Sequence, residues 1–203
     1  MRAAIRKSIF GGVASFTSTN PEPAFSPSKN SNEVLVSVKS AAINPVDYKL
    51  PKFVVGSIFG LDFSGIVEEV GKDVTDFKVG DKVFGVAKGA LADKAVSDAT
   101  RICKKTDDLT FLEAAALPVA YVTGLQGLKV GKVTEGSSVL IIGASGGCGL
   151  AAIHLSKAMG ATRIVAICSG KNSQLVKDTG ATEVVDYTQE SDLKKFFAEN
   201  EGK

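Results

Sequence analysis

Polar and apolar residues alternate through the first hundred positions and gather into blocks afterwards. Glu33 to Ala42 places Val34, Val36 and Val38 on one face, the period of a half-buried strand. Asp62 to Val70 predicts a second strand, ended by Gly71. Shorter candidates are Arg2 to Arg6, Val13 to Thr17 behind Gly11-Gly12 as its hairpin partner, Leu91 to Val96, and Arg101 to Cys103. Val79 to Gly85 reads as a turn leading into a further strand. Residues 20–32 carry Pro21, Pro23 and Pro27 among serines and asparagines, which predicts a loop. Many short strands separated by Gly and Asp turns point to a small barrel or sandwich.

The pattern changes near residue 110. Thr110 and Glu113 have the spacing of a capping box ahead of an alanine-rich helix, Phe111 to Leu117. Pro118 either ends that helix or starts the next, and Val119 to Leu128 reads as helix. From Ser138 the order is strand (Val139 to Ile142), helix, strand (Arg163 to Ile167), helix (Ser173 to Asp178), strand (Glu183 to Val185), helix (Leu193 to Glu199). That alternation predicts an α/β fold, a right-handed βαβαβ half of a doubly wound parallel sheet, with 139–142 as a buried strand.

The first of these strands runs into Gly143-Ala144-Ser145-Gly146-Gly147-Cys148-Gly149, and a helical spacing of Leu150, Ala151, Ile153 and Leu155 follows. Strand, glycine turn and helix are the context a dinucleotide fingerprint needs. Glycines let the chain turn tightly and let backbone approach a pyrophosphate, and the last lets helix and strand pack closely. Free N–H groups at the helix start favour the phosphate charge. An NAD site puts an Asp or Glu at the end of the second strand; here Cys168-Ser169-Gly170-Lys171-Asn172 has no acid. Ser169 offers a hydrogen bond and Lys171 a positive charge, which suits the 2′-phosphate of NADPH. Cys148 has two readings, a small buried apolar side chain, which is favoured, or a thiol whose modification obstructs the phosphate turn. His154 is read as structural.

Composition narrows the field. At 203 residues there is room for two small domains, and a net charge of +2 gives no electrostatic footprint for nucleic acid. No run is apolar for long enough to span a bilayer, and the start, MRAAIR, has no signal-peptide core. Three scattered cysteines argue against a disulfide framework and for a reducing compartment. One histidine and no paired cysteines leave no recognisable zinc site.

Seven stretches in order carry a resemblance: AAINPVDYKL (41–50), GLDFSGIVEEVG (60–71), VGDKVFG (79–85), FLEAAALPVAYVTGLQGL (111–128), GASGGCG (143–149), ICSGKN (167–172) and GATEVVDY (180–187). Together the chain resembles the zinc-free quinone oxidoreductase branch of the medium-chain dehydrogenase/reductases, nearest to plant-type quinone oxidoreductase homologues and alkenal/enone reductases. The resemblance implies a GroES-like β-barrel domain over 1–117 and, over 118–203, the first half of a Rossmann domain. It implies zinc-independent, NADPH-dependent reduction of a quinone or of the C=C bond of an α,β-unsaturated carbonyl. The wider family's zinc ligands fall where this chain has Asn44 and Leu61-Asp62. Three strands are found where the family has six, so on this reading the chain is C-terminally truncated.

The resemblance also assigns roles. Asn44 and Lys49 line the reaction site, Lys49 touching cofactor or substrate carbonyl, and Tyr48 donates a proton or stacks. Thr123 lies near the nicotinamide end, and Tyr187 packs against the adenosine phosphate. Read from the residues alone, Asn44-Pro45 is a turn and Asp47 caps a short helix. The cofactor set is then Lys49, Thr123, Ser145, Gly146, Gly147, Cys148, Gly149, Ser169, Lys171, Asn172 and Tyr187. An enoyl-thioester reductase and a non-catalytic NADPH-binding protein are the rival readings. The full-length relative is expected to be a homodimer, cytoplasmic or in an organelle, with peripheral membrane association open.

Overall fold

The computed structural model describes residues 1–7, 14–18, 20–29 and 31–201. Gly11, Gly12 and Val13 of the expected hairpin lie outside the described residues. The chain divides into two compact units, Met1–Val119 and Ala120–Lys203.

The first unit is β-rich. Strands β1 (Ala3–Arg6) and β2 (Ala14–Thr17) pair antiparallel. A five-stranded antiparallel sheet holds β3 (Glu33–Ala42), β4 (Asp62–Val70), β5 (Lys82–Val86), β6 (Lys94–Asp98) and β7 (Ile102–Lys104) in the order β6-β3-β4-β5-β7. The two longest strand runs therefore pair within it, and Val34, Val36, Phe63, Val67 and Val83 form its core. The strand expected at Leu91 to Val96 begins later, at Lys94. Its first residues bond β1 instead, where Ala4 N–H donates to Leu91 O at 2.9 Å and Asp93 N–H to Arg2 O at 3.0 Å. Arg101 belongs to a 3-10 turn ahead of β7, in which the Asp98 side chain accepts the Thr100 N–H at 2.8 Å. Helices α1 (Pro45–Lys49) and α2 (Lys52–Val55) fill the connection to β4, and α3 (Phe111–Ala115) packs on β3 and β4. The Thr110/Glu113 capping box is present, with both reciprocal bonds to backbone N–H groups.

Helix α4 (Pro118–Val130) starts at its proline, the position where a missing N–H does no harm. The second unit then alternates: β8 (Ser138–Ile142), α5 (Gly147–Ala158), β9 (Arg163–Cys168), α6 (Ser173–Thr179), β10 (Glu183–Asp186) and α7 (Glu190–Asn200). The three strands are parallel in the order β10-β9-β8. Strand β9 is buried on both faces. Ile164, Ala166 and Cys168 join the core containing Ile153 and Val176, and Val165 and Ile167 meet Leu193 and Phe196 of α7. Strand β8 departs from the fully buried strand expected. Val139 and Ile141 are buried, but Leu140 is 44% and Ile142 75% exposed, while Leu193 and Phe196 of α7 pack against Val165, Ile167 and Val185.

Candidate functional site

The glycine turn is built as its sequence requires. Gly143 has φ +71°, and the N–H groups of Gly143 and Ala144 both donate to Ile167 O at 3.1 Å. The decisive position is Gly149. A Cβ there would stand 2.4 Å from Gly143 O and 2.7 Å from the Ala144 backbone, so only glycine lets α5 pack this close to the turn. Gly146 is the N-cap of α5 in extended conformation, and Gly147 has no side-chain crowding nearer than 3.9 Å. Backbone is thus left open at a helix N-terminus, which is what a diphosphate needs.

Around this turn the structure gathers several of the expected residues at the C-terminal ends of parallel strands. The Asn172 amide donates to Ser145 Oγ at 3.0 Å and to Ser169 Oγ at 3.2 Å. Lys171 is exposed on the 3-10 turn Gly170–Asn172 that follows β9. Tyr187 follows β10, 55% exposed, and its N–H donates to Cys168 O at 3.2 Å. Asp186, not foreseen, lies behind the same turn. The Thr188 hydroxyl and amide and the Gly170 N–H hold its carboxyl below the usual carboxylate range. Ligands of open α/β sheets bind at such strand ends.

Cys148 corrects the sequence reading. It is exposed in the first turn of α5 rather than buried. It borders a depression of about 380 Å³ that Thr123, Gly124, Leu140 and Ile142 also line. Thr123 is itself exposed on α4. The His154 ring nitrogen meets Tyr121 Oη at 2.8 Å, a bond between α4 and α5 that fits its structural reading. Among the described residues no group of three His, Cys, Asp or Glu could hold a metal ion.

In the first unit a polar network organises Asn44. Its N–H donates to Asp47 Oδ2 at 2.7 Å, and the Asp47 N–H returns to Asn44 O at 3.0 Å, so Asp47 does cap α1. The Asn44 amide then donates to Asp62 Oδ2 at 2.9 Å. Asp62 is buried and also accepts the Val119 N–H at 3.0 and 3.2 Å. Burial pushes the Asp62 carboxyl up to about 6, against the pull of the Asn44 and Val119 donors and with the Asp47 charge adding to the rise. Tyr48 and Lys49 are exposed on the same short helix. Asp62 escaped the sequence reading as a functional partner. Its one signal was a charged residue heading the apolar half of a strand, Asp62 before Phe63 to Val67.

A family model described as alcohol dehydrogenase GroES-like domain matches residues 30–124. The chain is also 35% identical over 202 residues to a chloroplast envelope quinone oxidoreductase homolog of Arabidopsis thaliana, covering 91% of this chain and 60% of that one. The chain carries an alcohol dehydrogenase GroES-like domain and is similar to quinone oxidoreductases. Another relative, 2-methylene-furan-3-one reductase of Solanum lycopersicum, is 34% identical, covering 81% of this chain and 47% of its own length. The crystal structure of Escherichia coli quinone oxidoreductase complexed with NADPH superposes with a TM-score of 0.80 at 25% identity, covering 97% of this chain and 61% of that one. The chain therefore spans about half to three fifths of these relatives. No described helix is long and apolar enough to cross a membrane.

Proposed function

We propose that this chain carries the GroES-like domain and the cofactor-phosphate half of a zinc-independent, NADPH-dependent reductase of quinones or of enone C=C bonds. The observation that carries the reading is the Gly149 contact, which brings a helix N-terminus against a glycine turn next to the Ser145–Asn172–Ser169 cluster. These residues fit a dinucleotide. Backbone at Gly146, Gly147 and Cys148 would hold the diphosphate, and Lys171 with Ser169 the 2′-phosphate. Tyr187, exposed after β10, would stack on the adenosine. NADPH supplies hydride when bound. Asn44, held by Asp62, would orient a reacting group; Lys49 would polarise a carbonyl or touch phosphate, Tyr48 donate a proton, and Thr123 meet the nicotinamide end. The Escherichia coli relative's bound NADPH and the two named plant reductases support this cofactor and these substrate classes.

Calorimetric titration of the chain with NADPH and NADH tests the reading. NADPH should bind more tightly, and Lys171→Glu should weaken it roughly 10- to 100-fold, the worth of one charge-assisted contact, with little change for NADH. No affinity for either nucleotide overturns the proposal. Unchanged NADPH preference in the variant removes Lys171 from it.

A further inference from the structure

Asp186 closes β10 and sits where loops of the second unit meet. It is the ladder partner of Cys168, the last residue of β9. Its Oδ1 accepts from the Thr188 N–H at 2.9 Å and from the Thr188 hydroxyl at 2.7 Å. Its Oδ2 fills the space that a side chain at Gly170 would need, for a Cβ there would stand 2.3 Å from that oxygen and 3.1 Å from Cγ. The Gly170 N–H adds its pull on the carboxyl. Gly170 does not have the positive φ that would call for glycine, so the carboxyl is what excludes a side chain here. Gly170 opens the 3-10 turn that carries Lys171 and Asn172, and the Asn172 amide donates onward to Ser145 Oγ in the glycine turn at 3.0 Å. One carboxyl thus links the end of β10 to the turn after β9 and, through Asn172, to the turn after β8.

We infer that Asp186 is a positioning residue: seated against Gly170, it fixes the turn that bears Lys171 and so sets how strongly the chain prefers a dinucleotide with a 2′-phosphate over one with a free 2′-hydroxyl. The inference rests on the reductase reading above and names the residue on which that preference depends. An NAD site uses an acid at the end of the second strand to bond the ribose 2′-hydroxyl. Asp186 ends the third strand, and its oxygens are turned to Thr188 and Gly170, so its work is on the loop. Lys171 is exposed on that loop. A long side chain on a loose turn loses conformational freedom when it grips a phosphate, and a turn held in advance avoids part of that cost. A nucleotide without the 2′-phosphate makes no demand on Lys171 and is indifferent to the order of the turn. Charge alone gives the opposite expectation, because a carboxylate near a phosphate repels it. The two accounts differ in sign, and the sign can be measured.

The test titrates the full chain with NADPH and with NADH by calorimetry, as wild type, Asp186→Ala, Asp186→Asn, Gly170→Ala and the D186A/G170A pair. Asp186→Ala should weaken NADPH roughly fivefold or more, the worth of about one hydrogen bond, and leave NADH within about twofold. Asp186→Asn keeps an acceptor for Thr188 and a side chain of the same size against Gly170, so it should lose less than the alanine variant. A methyl at Gly170 pushes the carboxyl aside and should weaken NADPH in the same direction. The paired variant should then lose no more than the larger single loss, because both changes break one contact. A merely structural aspartate would lower both affinities together or neither. Equal losses for the two nucleotides therefore overturn the inference, as does tighter NADPH binding in D186A, the result that repulsion predicts. Summed losses in the paired variant overturn it as well. Should D186A not fold, Gly170→Ala decides, and an unchanged preference there overturns the inference. A wild-type preference for NADPH that survives in every variant sinks this inference alone. No nucleotide affinity in the wild-type chain sinks the reductase reading and this inference with it.

Discussion

Asp62 is the residue whose chemistry is most displaced by its surroundings, and the displacement has a definite sign. Its carboxyl ordinarily titrates at 3.8 and is raised to about 6 here. Between those values the folded chain binds more protons than the unfolded one, so stability falls as pH rises through the window, and the penalty is fully present above it. Asp62→Asn mimics the neutral acid. Its stability in urea should match wild type near pH 4 and exceed it near pH 7.5 by roughly 1–3 kcal/mol. A variant that is less stable at pH 7.5 would show that the charged carboxylate is the form the Asn44 and Val119 donors need. Gly149 makes a second prediction at this scale. Gly149→Ala drives a methyl into the Gly143 carbonyl, and backbone cannot yield as a flexible side chain does. Thermal unfolding should show a loss of about 3 kcal/mol. Near-wild-type stability would mean that the turn is looser than its geometry. Both residues differ in how openly the sequence declared them. Gly149 stood in a local pattern with strand and helix on either side. Asp62 acts on Asn44, eighteen positions away, and Arg6 on Asp47, forty-one away, and no local pattern encodes such partners.

Elements whose cause is local were legible, and those whose cause is tertiary were not. Strands β3 and β4 occupy Glu33–Ala42 and Asp62–Val70, the bounds expected from the alternation of the first and the Gly71 stop of the second. Helix α3 starts where Thr110 and Glu113 say it should, since a capping box satisfies its donors within one turn. Removing the hydroxyl in Thr110→Ala should therefore lower stability by about 1 kcal/mol, read as a shifted denaturation midpoint at constant slope. No shift would place the work of the cap on Glu113 alone. The start of β6 was misread because an apolar run does not say which neighbour it will bond, and Leu91 bonds β1. Helix α5 shows the same limit, for nothing in its spacing told that Cys148 faces outward. An exposed thiol in the first turn of a phosphate-binding helix should be alkylated by iodoacetamide, and NADPH should slow that reaction at Cys148 while leaving Cys103 unprotected. Equal rates with and without NADPH would separate the thiol from the nucleotide.

At the scale of the whole molecule, the packed cores of the two units and a bare sheet face among the described residues decide its behaviour. The first unit closes its core around Phe63 and the central valines, and the second around Ile153, Ile164 and Val176. Parallel sheets ordinarily have both faces covered. Strand β9 obeys this and β8 does not, with Leu140 and Ile142 projecting from the uncovered side of an edge strand. Unpaired backbone next to exposed aliphatic side chains is a template for another chain. The sequence could not announce this, because Val139 to Ile142 is apolar throughout and reads alike whether one face or both are covered. The chain should therefore self-associate as its concentration rises, and sedimentation velocity should show larger species. Ile142→Lys adds a charge at the most exposed of these positions and should return the population toward monomer without altering the circular dichroism spectrum. It changes neither Val139 nor Ile141, which make the buried contacts, so a loss of fold is not its expected effect. If the wild-type chain sediments as a monomer throughout, the bare face is too small to recruit a partner. If I142K associates as strongly as wild type, the contact lies on some other surface.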